Sequence, residues 1–325
     1  MTLRLLNLEP EGYSEKALEI LRGFSDVAEG PLTREELLDC ISHYDAVIVR
    51  LGHQIDETVL DAAKRLKVIA SATTGLNHID CTYAKIRGIE IISLRNETEF
   101  LDTIHATAEH TWALILSLIR NVPTAVQHVN SNGWNRDIFK GSELYGKTLG
   151  VIGYGRLGKK VAGYGVAFGM EVLTTDIKPV KVDSGVDLVS LNELLSRADI
   201  VTIHVPYDTT THAFLGENEI KTMKFGSYLL NTSRGEVLNE SALLESLRGN
   251  HLAGAALDVM SGENIGDLNW LQTDPLIQYA KHHRNLLITP HLGGCTSESM
   301  EKTEIFIAQK LKSYFEKEAP GYAIH

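Results

Sequence analysis

The sequence is poor in cysteine and in long apolar runs. Its three cysteines, Cys40, Cys81 and Cys295, lie far apart and form no CxxC pair, so no disulfide framework is expected and a cytoplasmic location is predicted. No stretch of about 18 apolar residues is present, which argues against a membrane-spanning helix. Arg4 and Glu9 interrupt the apolar run near the N-terminus, so no signal peptide is expected.

Basic residues are also in short supply. The chain has 31 Lys and Arg against 42 Asp and Glu, a formal net charge of −11, and this balance argues against general nucleic-acid binding, which requires a basic surface. His43, His53 and His105 lack metal-ligand spacing, so no metal site is expected. What is present is 325 residues with 43% hydrophobic content, enough for a sizeable core and about two domains.

Short apolar runs alternate with amphipathic helical patterns along the chain. The helical patterns include residues 57–66, 192–198 and 241–248. Continuously apolar strands joined by helices are typical of parallel sheets covered on both faces, so we expect an α/β fold with doubly wound sheets. The predicted strands are residues 3–8, 46–50, 67–72, 90–94, 148–153, 171–176, 199–206, 227–232, 252–258 and 285–290.

A long helical stretch at residues 103–133 divides these strands into two sets. It predicts two helices broken near Pro123, and residues 297–316 predict one more amphipathic helix with no strand behind it. We expect this last helix to dock back on the first set of strands. The predicted domains are residues 1–98 plus 292–325, and residues 99–291, with a ligand cleft between them.

A glycine-rich turn follows one of the predicted strands. Gly153, Gly155 and Gly158 form G-x-G-x-x-G between a strand and a helix, where the glycines allow a tight turn, close approach of a pyrophosphate and close helix–strand packing. Asp176 ends the next strand, near the spacing expected of a carboxylate that binds the ribose 2′-OH. A glycine turn alone can be purely structural, but this setting favours dinucleotide binding. NAD is preferred over NADP, although Lys178 weakens that preference slightly.

Polar side chains follow three of the later strands. Arg234, Asp258 and His291 come at or just beyond predicted strand ends, and Glu263 follows Asp258 closely. Each residue alone is ordinary, but strand ends of one parallel sheet share an edge at which ligands bind. Hydride transfer from a carbinol needs a base such as His291, a carboxylate such as Glu263 to orient it, and a planar cation such as Arg234 for a substrate carboxylate. Asp258 is a candidate acceptor for the nicotinamide carboxamide.

The most informative segments are residues 108–111, 153–158 with Asp176, 204–206, 231–235, 255–259 and 290–294. Together these segments resemble the D-isomer-specific 2-hydroxyacid dehydrogenases, and most of all the short-type D-3-phosphoglycerate dehydrogenases. The resemblance implies a Rossmann-type NAD-binding domain, a flavodoxin-like substrate domain, and a catalytic trio of Arg234, Glu263 and His291. It also implies a homodimer joined through the NAD-binding domains, with no added regulatory domain.

The cofactor contacts that we expect extend beyond the glycine turn, and some of them are implied only by the resemblance. The chain departs from the usual family pattern at Met260 and Asn264, where Phe and Pro are common, and the loop at residues 262–284 is longer than usual, which bears on the placement of Glu263. The expected cofactor-binding residues are Gly153, Tyr154, Gly155, Arg156, Leu157, Gly158, Asp176, His204, Val205, Pro206, Thr210, Thr232, Ser233, Arg234, Asp258, His291, Gly293 and Gly294.

The substrate is expected to be a small 2-hydroxy acid, with 3-phosphoglycerate favoured. The resemblance implies that Arg50 and Arg136 hold a phosphate or second carboxylate, and that the backbone of Thr74, Gly75 and Leu76 receives the substrate carboxylate, beside Arg234 and His291. Leu51 and Gly52 stand where phosphoglycerate enzymes often have Ser and a second basic residue. A different hydroxy acid, carrying a phosphonate or a second carboxylate, and a non-catalytic NAD-sensing protein similar to transcriptional corepressors are the alternatives.

Overall fold

The computed structural model describes residues 2–30, 32–263 and 268–318. The chain separates into two compact units, which divide at residues 104/105 and 295/296, a few residues beyond the boundaries expected at 98/99 and 291/292. The first unit contains both the N-terminal part of the chain and the C-terminal helix, and the second contains the segment between them. None of the helices in the described ranges is long and apolar enough to span a bilayer.

The first unit contains a five-stranded parallel sheet with the strand order β2-β1-β3-β4-β5, which is the flavodoxin-like order. Side-chain caps begin several of its helices, and at α2 Thr33 and Glu36 form a reciprocal capping box, which satisfies two otherwise free backbone donors. Its elements are β1 Arg4–Asn7, α1 Glu15–Arg22, β2 Asp26–Glu29, α2 Arg34–Cys40, β3 Ala46–Ile48, α3 Glu57–Ala62, β4 Val68–Ser71, α4 Cys81–Ile86, β5 Glu90–Ser93 and α5 Thr98–Asp102.

The second unit contains a seven-stranded parallel sheet with the order β12-β11-β10-β9-β6-β7-β8. The chain reverses direction across the sheet between β6 and β9, and ligands bind at such switch points in doubly wound sheets. Its elements are α6 Ala106–Ile119, α7 Val122–Asn130, β6 Thr148–Ile152, α8 Arg156–Ala167, β7 Glu171–Thr175, β8 Val186–Leu188, α9 Leu191–Arg197, β9 Ile200–Ile203, α10 Glu217–Thr222, β10 Tyr228–Asn231, α11 Glu240–Arg248, β11 Gly254–Leu257, α12 Pro275–Ala280 and β12 Leu286–Ile288.

The last helix, α13 (Ser297–Glu318), packs on the first unit, as expected. Ile307, Ala308 and Leu311 are fully buried in the same core as Leu5 and Leu18. Burial of a leucine or isoleucine side chain stabilises the fold by roughly 1.5–3 kcal/mol. The helix therefore completes the hydrophobic core of a unit whose strands lie at the opposite end of the sequence.

The expected α/β class and the two parallel sheets are confirmed, and two short strands were missed. Both β2 and β8 lie at sheet edges and carry polar residues, so neither forms the apolar run used for prediction. The break between α6 and α7 falls at Arg120 and Asn121, and Pro123 lies in the first turn of α7. Proline is tolerated there because the first turn needs no backbone donor at that position.

Candidate active site

The glycine turn after β6 has the geometry that its motif predicts. Gly153 has φ +92°, and an added Cβ there would lie 2.7 Å from the carbonyl oxygen of His204. At Gly158 an added Cβ would lie 2.0 Å from the carbonyl oxygen of Gly153, so α8 packs directly on the turn. At Gly155 an added Cβ meets none of the described residues within 4 Å. The packing of the chain against itself thus requires glycine at Gly153 and Gly158, whereas Gly155 borders open space at the start of α8.

Asp176 closes this turn from the end of β7. Its Oδ2 accepts the Tyr154 backbone N–H at 2.8 Å, and its Oδ1 accepts the Lys178 N–H at 2.9 Å. The Tyr154 side chain is buried, and its hydroxyl donates to Asp183. Each oxygen of Asp176 keeps a further lone pair for a ribose hydroxyl. The open face at Gly155, the start of α8 and this carboxylate therefore fit a dinucleotide, and both Arg156 and Leu157 lie in the first turn of α8.

The segment after β9 forms the neighbouring wall of the turn. The His204 N–H donates to the carbonyl of Ile152, and the His204 Nε2 lies 2.9 Å from the Thr202 hydroxyl. Burial lowers the pKa of His204 to about 4, so the ring is neutral at pH 7. Among the described residues, its buried Nδ1 has no hydrogen-bond partner, which is a polar atom that a bound ligand could satisfy.

Three other expected cofactor residues lie near this wall. Val205 is within 3.0 Å of a Cβ built at Gly153, and Pro206 accepts from the Thr211 hydroxyl. Thr210 lies in an exposed turn, and both its backbone N–H and its hydroxyl donate to Asp208. The structure therefore brings Val205 to the glycine turn and places Thr210 in a local turn of its own.

The turn after β10 is built around Asn231. Its buried side chain accepts from the Ser233 N–H and hydroxyl, and donates to the Arg234 carbonyl at 2.7 Å. The Thr232 hydroxyl lies 2.8 Å from that of Thr111 on α6. These contacts fix the backbone that carries Arg234.

Arg234 presents a half-buried guanidinium with unused donors. Its Nη1 donates to the Ser233 carbonyl at 2.6 Å, and within the described ranges no other hydrogen bond of the group is found. Burial lowers the pKa of Arg234, while the nearby carboxylates of Glu263 and Glu236 raise it. Since guanidinium has five N–H donors, most of them remain available for an anion.

Glu263 and His291 form a direct pair. The Glu263 Oε1 accepts from His291 Nδ1, and its Oε2 accepts the Met260 N–H at 3.2 Å. The two side chains are 28% and 20% exposed. The unusual Met260 and the longer loop thus leave Glu263 in contact with His291, whereas Asn264 lies outside the described residues.

Asp258 anchors the loop that carries His291. The side chain is 1% exposed, and its two oxygens accept from Thr289, Leu292 and Gly293 and from His110. Burial raises the pKa of Asp258, but these hydrogen bonds outweigh burial and hold the pKa below its usual value. Asp258 therefore has a structural role besides the suggested contact with a carboxamide. Gly293 is buried against it, and Gly294 is exposed.

His110 is the functional candidate that the sequence did not single out. It lies within the family-like segment at residues 108–111, but its importance depends on contacts with Asp258 and Thr289, which are 148 and 179 residues away. Only the motif as a whole pointed to this part of α6.

Arg50 in the first unit is held by groups of its own chain. Its guanidinium donates to the carbonyls of Glu9 and Glu11 at 3.2 and 3.0 Å and to the carboxylate of Glu304 at 3.3 Å. Its Nε lies 3.5 Å from the Glu9 carboxylate, and Glu304 is 1% exposed. Two carboxylates therefore already balance the charge that was expected to face a phosphate.

The other expected substrate residues are less constrained. The Thr73 hydroxyl donates to the Gly75 carbonyl and shapes the loop after β4, and in the described structure the N–H groups of Thr74, Gly75 and Leu76 donate no hydrogen bond. Such a row of free N–H groups can bind a carboxylate. Arg136 is exposed in a short 3₁₀ helix, with no ion pair to the described residues.

The fold and the site define a protein with a Rossmann-type dinucleotide-binding domain. Residues 112–293 match the family model for the D-isomer specific 2-hydroxyacid dehydrogenase, NAD binding domain, and the chain belongs to this family. It is 37% identical over 304 residues to D-3-phosphoglycerate dehydrogenase of Methanocaldococcus jannaschii, a match covering 92% of this chain and 55% of that protein. The Bacillus subtilis D-3-phosphoglycerate dehydrogenase is 37% identical over 281 residues, covering 85% and 50%. The chain thus spans about half the length of these relatives.

Solved structures show the same architecture. The TT0316 protein from Thermus thermophilus has a TM-score of 0.83 with 34% identity, covering 97% of both chains. D-lactate dehydrogenase from Aquifex aeolicus, complexed with NAD and lactic acid, has a TM-score of 0.82 with 29% identity, covering 96% of this chain and 95% of that one. The expected family resemblance is therefore confirmed over nearly the whole chain.

Proposed function

We propose that the protein is an NAD-dependent dehydrogenase of D-2-hydroxy acids. The observation that carries this proposal is the contact between Glu263 and His291 in a unit that also contains the glycine turn and a guanidinium with unused donors at Arg234. A base, a carboxylate that orients it and a cation for the substrate are what oxidation of a carbinol beside a carboxylate requires.

The proposed steps assign one role to each of these side chains. His291 faces Glu263 through Nδ1, which leaves Nε2 to take the hydroxyl proton of the substrate. The Glu263 carboxylate stabilises the imidazolium that forms. Arg234 binds the substrate carboxylate and the developing carbonyl through its unused N–H groups. The nicotinamide of a bound NAD would supply the hydride acceptor for C2 of the substrate, and the hydride donor in the reverse direction.

The cofactor preference follows from Asp176. A ribose 2′-hydroxyl can donate to this carboxylate, whereas a 2′-phosphate would be repelled by it. We therefore propose NAD rather than NADP. Comparing the dissociation constants of NADH and NADPH by fluorescence titration tests this assignment, and tighter binding of NADPH would contradict it.

The activity is tested by NADH absorbance with a panel of D-2-hydroxy acids and, in reverse, with 2-keto acids. His291→Gln is expected to lose about 10²- to 10⁴-fold in kcat, the usual contribution of a positioned base, while its NAD affinity stays near that of the parent. His282→Gln, which changes an exposed ring in the same unit, is the matched control. Full turnover by His291→Gln would contradict the role of His291.

Absence of turnover with the whole panel, in both directions, would favour the alternative of a non-catalytic NAD-sensing protein. The direct contact between Glu263 and His291 favours the enzyme, since a protein that only binds NAD has no need for a base oriented in this way. The same panel therefore separates an enzyme from a sensor.

We propose D-3-phosphoglycerate as the first substrate to test. The names of the curated relatives support it, and Arg136 is an exposed cation without an ion pair to the described residues. The free N–H groups of Thr74, Gly75 and Leu76 would take the carboxylate. Arg136→Ala should raise KM for 3-phosphoglycerate more than KM for D-lactate, and equal effects on both substrates would remove Arg136 from phosphate binding.

One observation favours a different hydroxy acid. Arg50 is already paired with Glu9 and Glu304, so a phosphate dianion placed on it would also meet two carboxylates. A substrate without a phosphate, such as D-lactate, or one carrying a phosphonate or second carboxylate, is therefore the second candidate. The ratio of kcat/KM between 3-phosphoglycerate and these acids decides between the two.

We further propose that the protein forms a homodimer joined through the second unit. No residue of α7 is buried, although its Val122, Val126 and Val129 side chains are apolar and about half exposed. They line a groove of about 630 Å³ with Leu116 of α6. An apolar helix face of this kind is typical of an interface. We also propose a reducing cytoplasm, which suits the free thiols of Cys40 and Cys81.

A further inference from the structure

Three consecutive backbone N–H groups of the loop after β12 all donate to one residue. The N–H of His291 donates to the carbonyl of Asp258 at 2.9 Å. Those of Leu292 and Gly293 donate to its two carboxylate oxygens at 2.8 and 2.7 Å. His291 has φ +55°, a left-handed conformation that is unfavourable for a residue with a Cβ. Because Asp258 accepts all three N–H groups, the left-handed backbone at His291 depends on the contacts that keep Asp258 in place.

Two side chains hold the Asp258 carboxylate in place. The Thr289 hydroxyl lies 2.6 Å from Oδ1 and the His110 Nε2 lies 3.0 Å from it, while His110 Nε2 and the Thr289 oxygen are 3.1 Å apart. Because a carboxylate can only accept, the hydroxyl proton of Thr289 points to Asp258 and Nε2 of His110 carries a proton. The network is closed, and Asp258 is 1% exposed.

The helix that carries His110 also contacts the other half of the site. The next residue, Thr111, lies 2.8 Å from Thr232, in the turn that precedes Arg234. One turn of α6 thus lies behind both the segment after β10 and the loop after β12. The two contacts are made by different side chains. A substitution at His110 therefore removes the contact that supports the loop of His291 and leaves the contact between Thr111 and Thr232 in place.

We propose that His110 is a positioning residue for the catalytic step: through Asp258 it fixes the backbone of residues 291–293, and so the direction of the His291 imidazole. This inference rests on the proposed function, since it takes His291 as the base. His110 does not contact the reacting atoms in this account. Its effect reaches them through Asp258 and the left-handed backbone at His291.

The test compares His110→Ala, His110→Gln and Thr289→Val with the parent protein. Gln places an N–H donor near the position of Nε2, whereas Ala removes it, and Val replaces the Thr289 hydroxyl with a methyl group of similar size. His282→Gln is the control for a histidine change at an exposed position. The readouts are kcat and KM, NAD affinity by titration, and hydrogen exchange of the amides of residues 291–293 measured by mass spectrometry, which needs no substrate.

In His110→Ala and Thr289→Val we expect kcat to fall about 10- to 100-fold, as for other misplaced catalytic groups, with KM and NAD affinity near the parent values. The amides of residues 291–293 should exchange faster. His110→Gln should keep both kcat and amide protection. Unchanged kcat and protection in His110→Ala, or equal losses in His110→Ala and His110→Gln, would overturn the proposal. If the parent itself makes no NADH, the proposed function fails, while the exchange measurement still decides whether His110 anchors the loop.

Discussion

At the scale of single residues, the site combines groups whose surroundings push their protonation in different directions. Burial lowers the pKa of His204 to about 4 and keeps it neutral, whereas hydrogen bonds keep the buried Asp258 ionised. His291 is paired with Glu263 at the surface of the same unit. A neutral ring, a buried anion and a paired base can thus coexist at neighbouring strand ends, because each has different partners.

Glu240 provides a prediction about pH and stability. Burial raises the pKa of Glu240 from 4.5 to about 7, Asp274, Glu236 and Glu263 add to this effect, and the Ser261 N–H opposes it. Because the folded-state pKa is the higher one, the stabilisation is complete below pH 4.5 and is lost as the pH rises towards 7. Glu240→Gln should therefore have the Tm of the parent near pH 4.5 and a higher Tm than the parent at pH 8.

The control for this prediction is Glu245→Gln on the same helix, where the carboxylate is exposed. Both variants are compared with the parent in calorimetric scans at pH 4.5 and pH 8. A Glu240→Gln variant whose Tm advantage does not grow between pH 4.5 and pH 8 would contradict the assignment.

Glu9 provides the opposite case in the first unit. Burial raises its pKa, but the His53 ring, whose Nδ1 lies 3.9 Å from Oε1, and hydrogen bonds from the N–H groups of Arg50 and Gly52 lower it to about 2 overall. Its stabilisation is thus present above pH 4.5 and is lost as the pH falls towards 2. Glu9→Gln should be less stable than the parent at pH 7 in urea unfolding, and the difference should shrink with acidification. A difference that is the same at pH 7 and pH 3 would refute this.

At the scale of secondary-structure elements, we expect two glycines of the β6–α8 turn to be needed for different reasons, Gly158 for the stability of the fold and Gly155 for NAD binding. Gly158→Ala should destabilise the protein by about 1–3 kcal/mol because its Cβ would meet the backbone of Gly153 at 2.0 Å. In Gly155→Ala the new Cβ meets no atom of the described residues within 4 Å, so the Tm should stay unchanged while NAD affinity falls. Calorimetry and NADH titration measure the two effects.

Gly163→Ala on the same helix is the matched control, since within the described part of the chain a Cβ there also has no neighbour within 4 Å, and alanine favours the helix by about 0.5–1 kcal/mol. It should keep NAD affinity and gain slightly in stability. If Gly155→Ala bound NADH as tightly as Gly163→Ala does, the open face at Gly155 would not be where the dinucleotide lies.

The accuracy with which the sequence predicts secondary structure differs between central strands, edge strands and strand ends. Central strands such as β6 and β9 are fully buried and were found as apolar runs, whereas the edge strands β2 and β8 are partly polar and were missed. The predicted strands were also one to three residues too long at many ends, because apolar residues such as Val205 and Pro206 follow the last residue of the strand. The motif residues could be placed from sequence, but the contact of His110 with Asp258 could not, since it depends on packing between distant segments.

At the scale of the whole molecule, the exposed face of α7 predicts assembly. Val126→Asp places a charge on a side chain that is 54% exposed on this face, and in a dimer the charge would be buried against the partner. Light scattering after size exclusion should show a dimer for the parent and a monomer for this variant. Ile86→Asp, at an exposed position of the first unit, should remain dimeric. A monomeric parent, or a Val126→Asp variant that stays dimeric, would contradict the proposed interface.

In the proposed reaction, hydride passes between C2 of a D-2-hydroxy acid and NAD, and His291 takes the proton. The most direct measurement supplies D- and L-isomers of each acid with deuterium at C2 and follows the label into NADH by mass spectrometry. We expect that deuterium from the D-isomer appears in NADH, that the L-isomer gives none, and that His291→Gln slows the transfer by about 10²-fold or more. NADH without deuterium, equal use of both isomers, or full transfer by His291→Gln would contradict it.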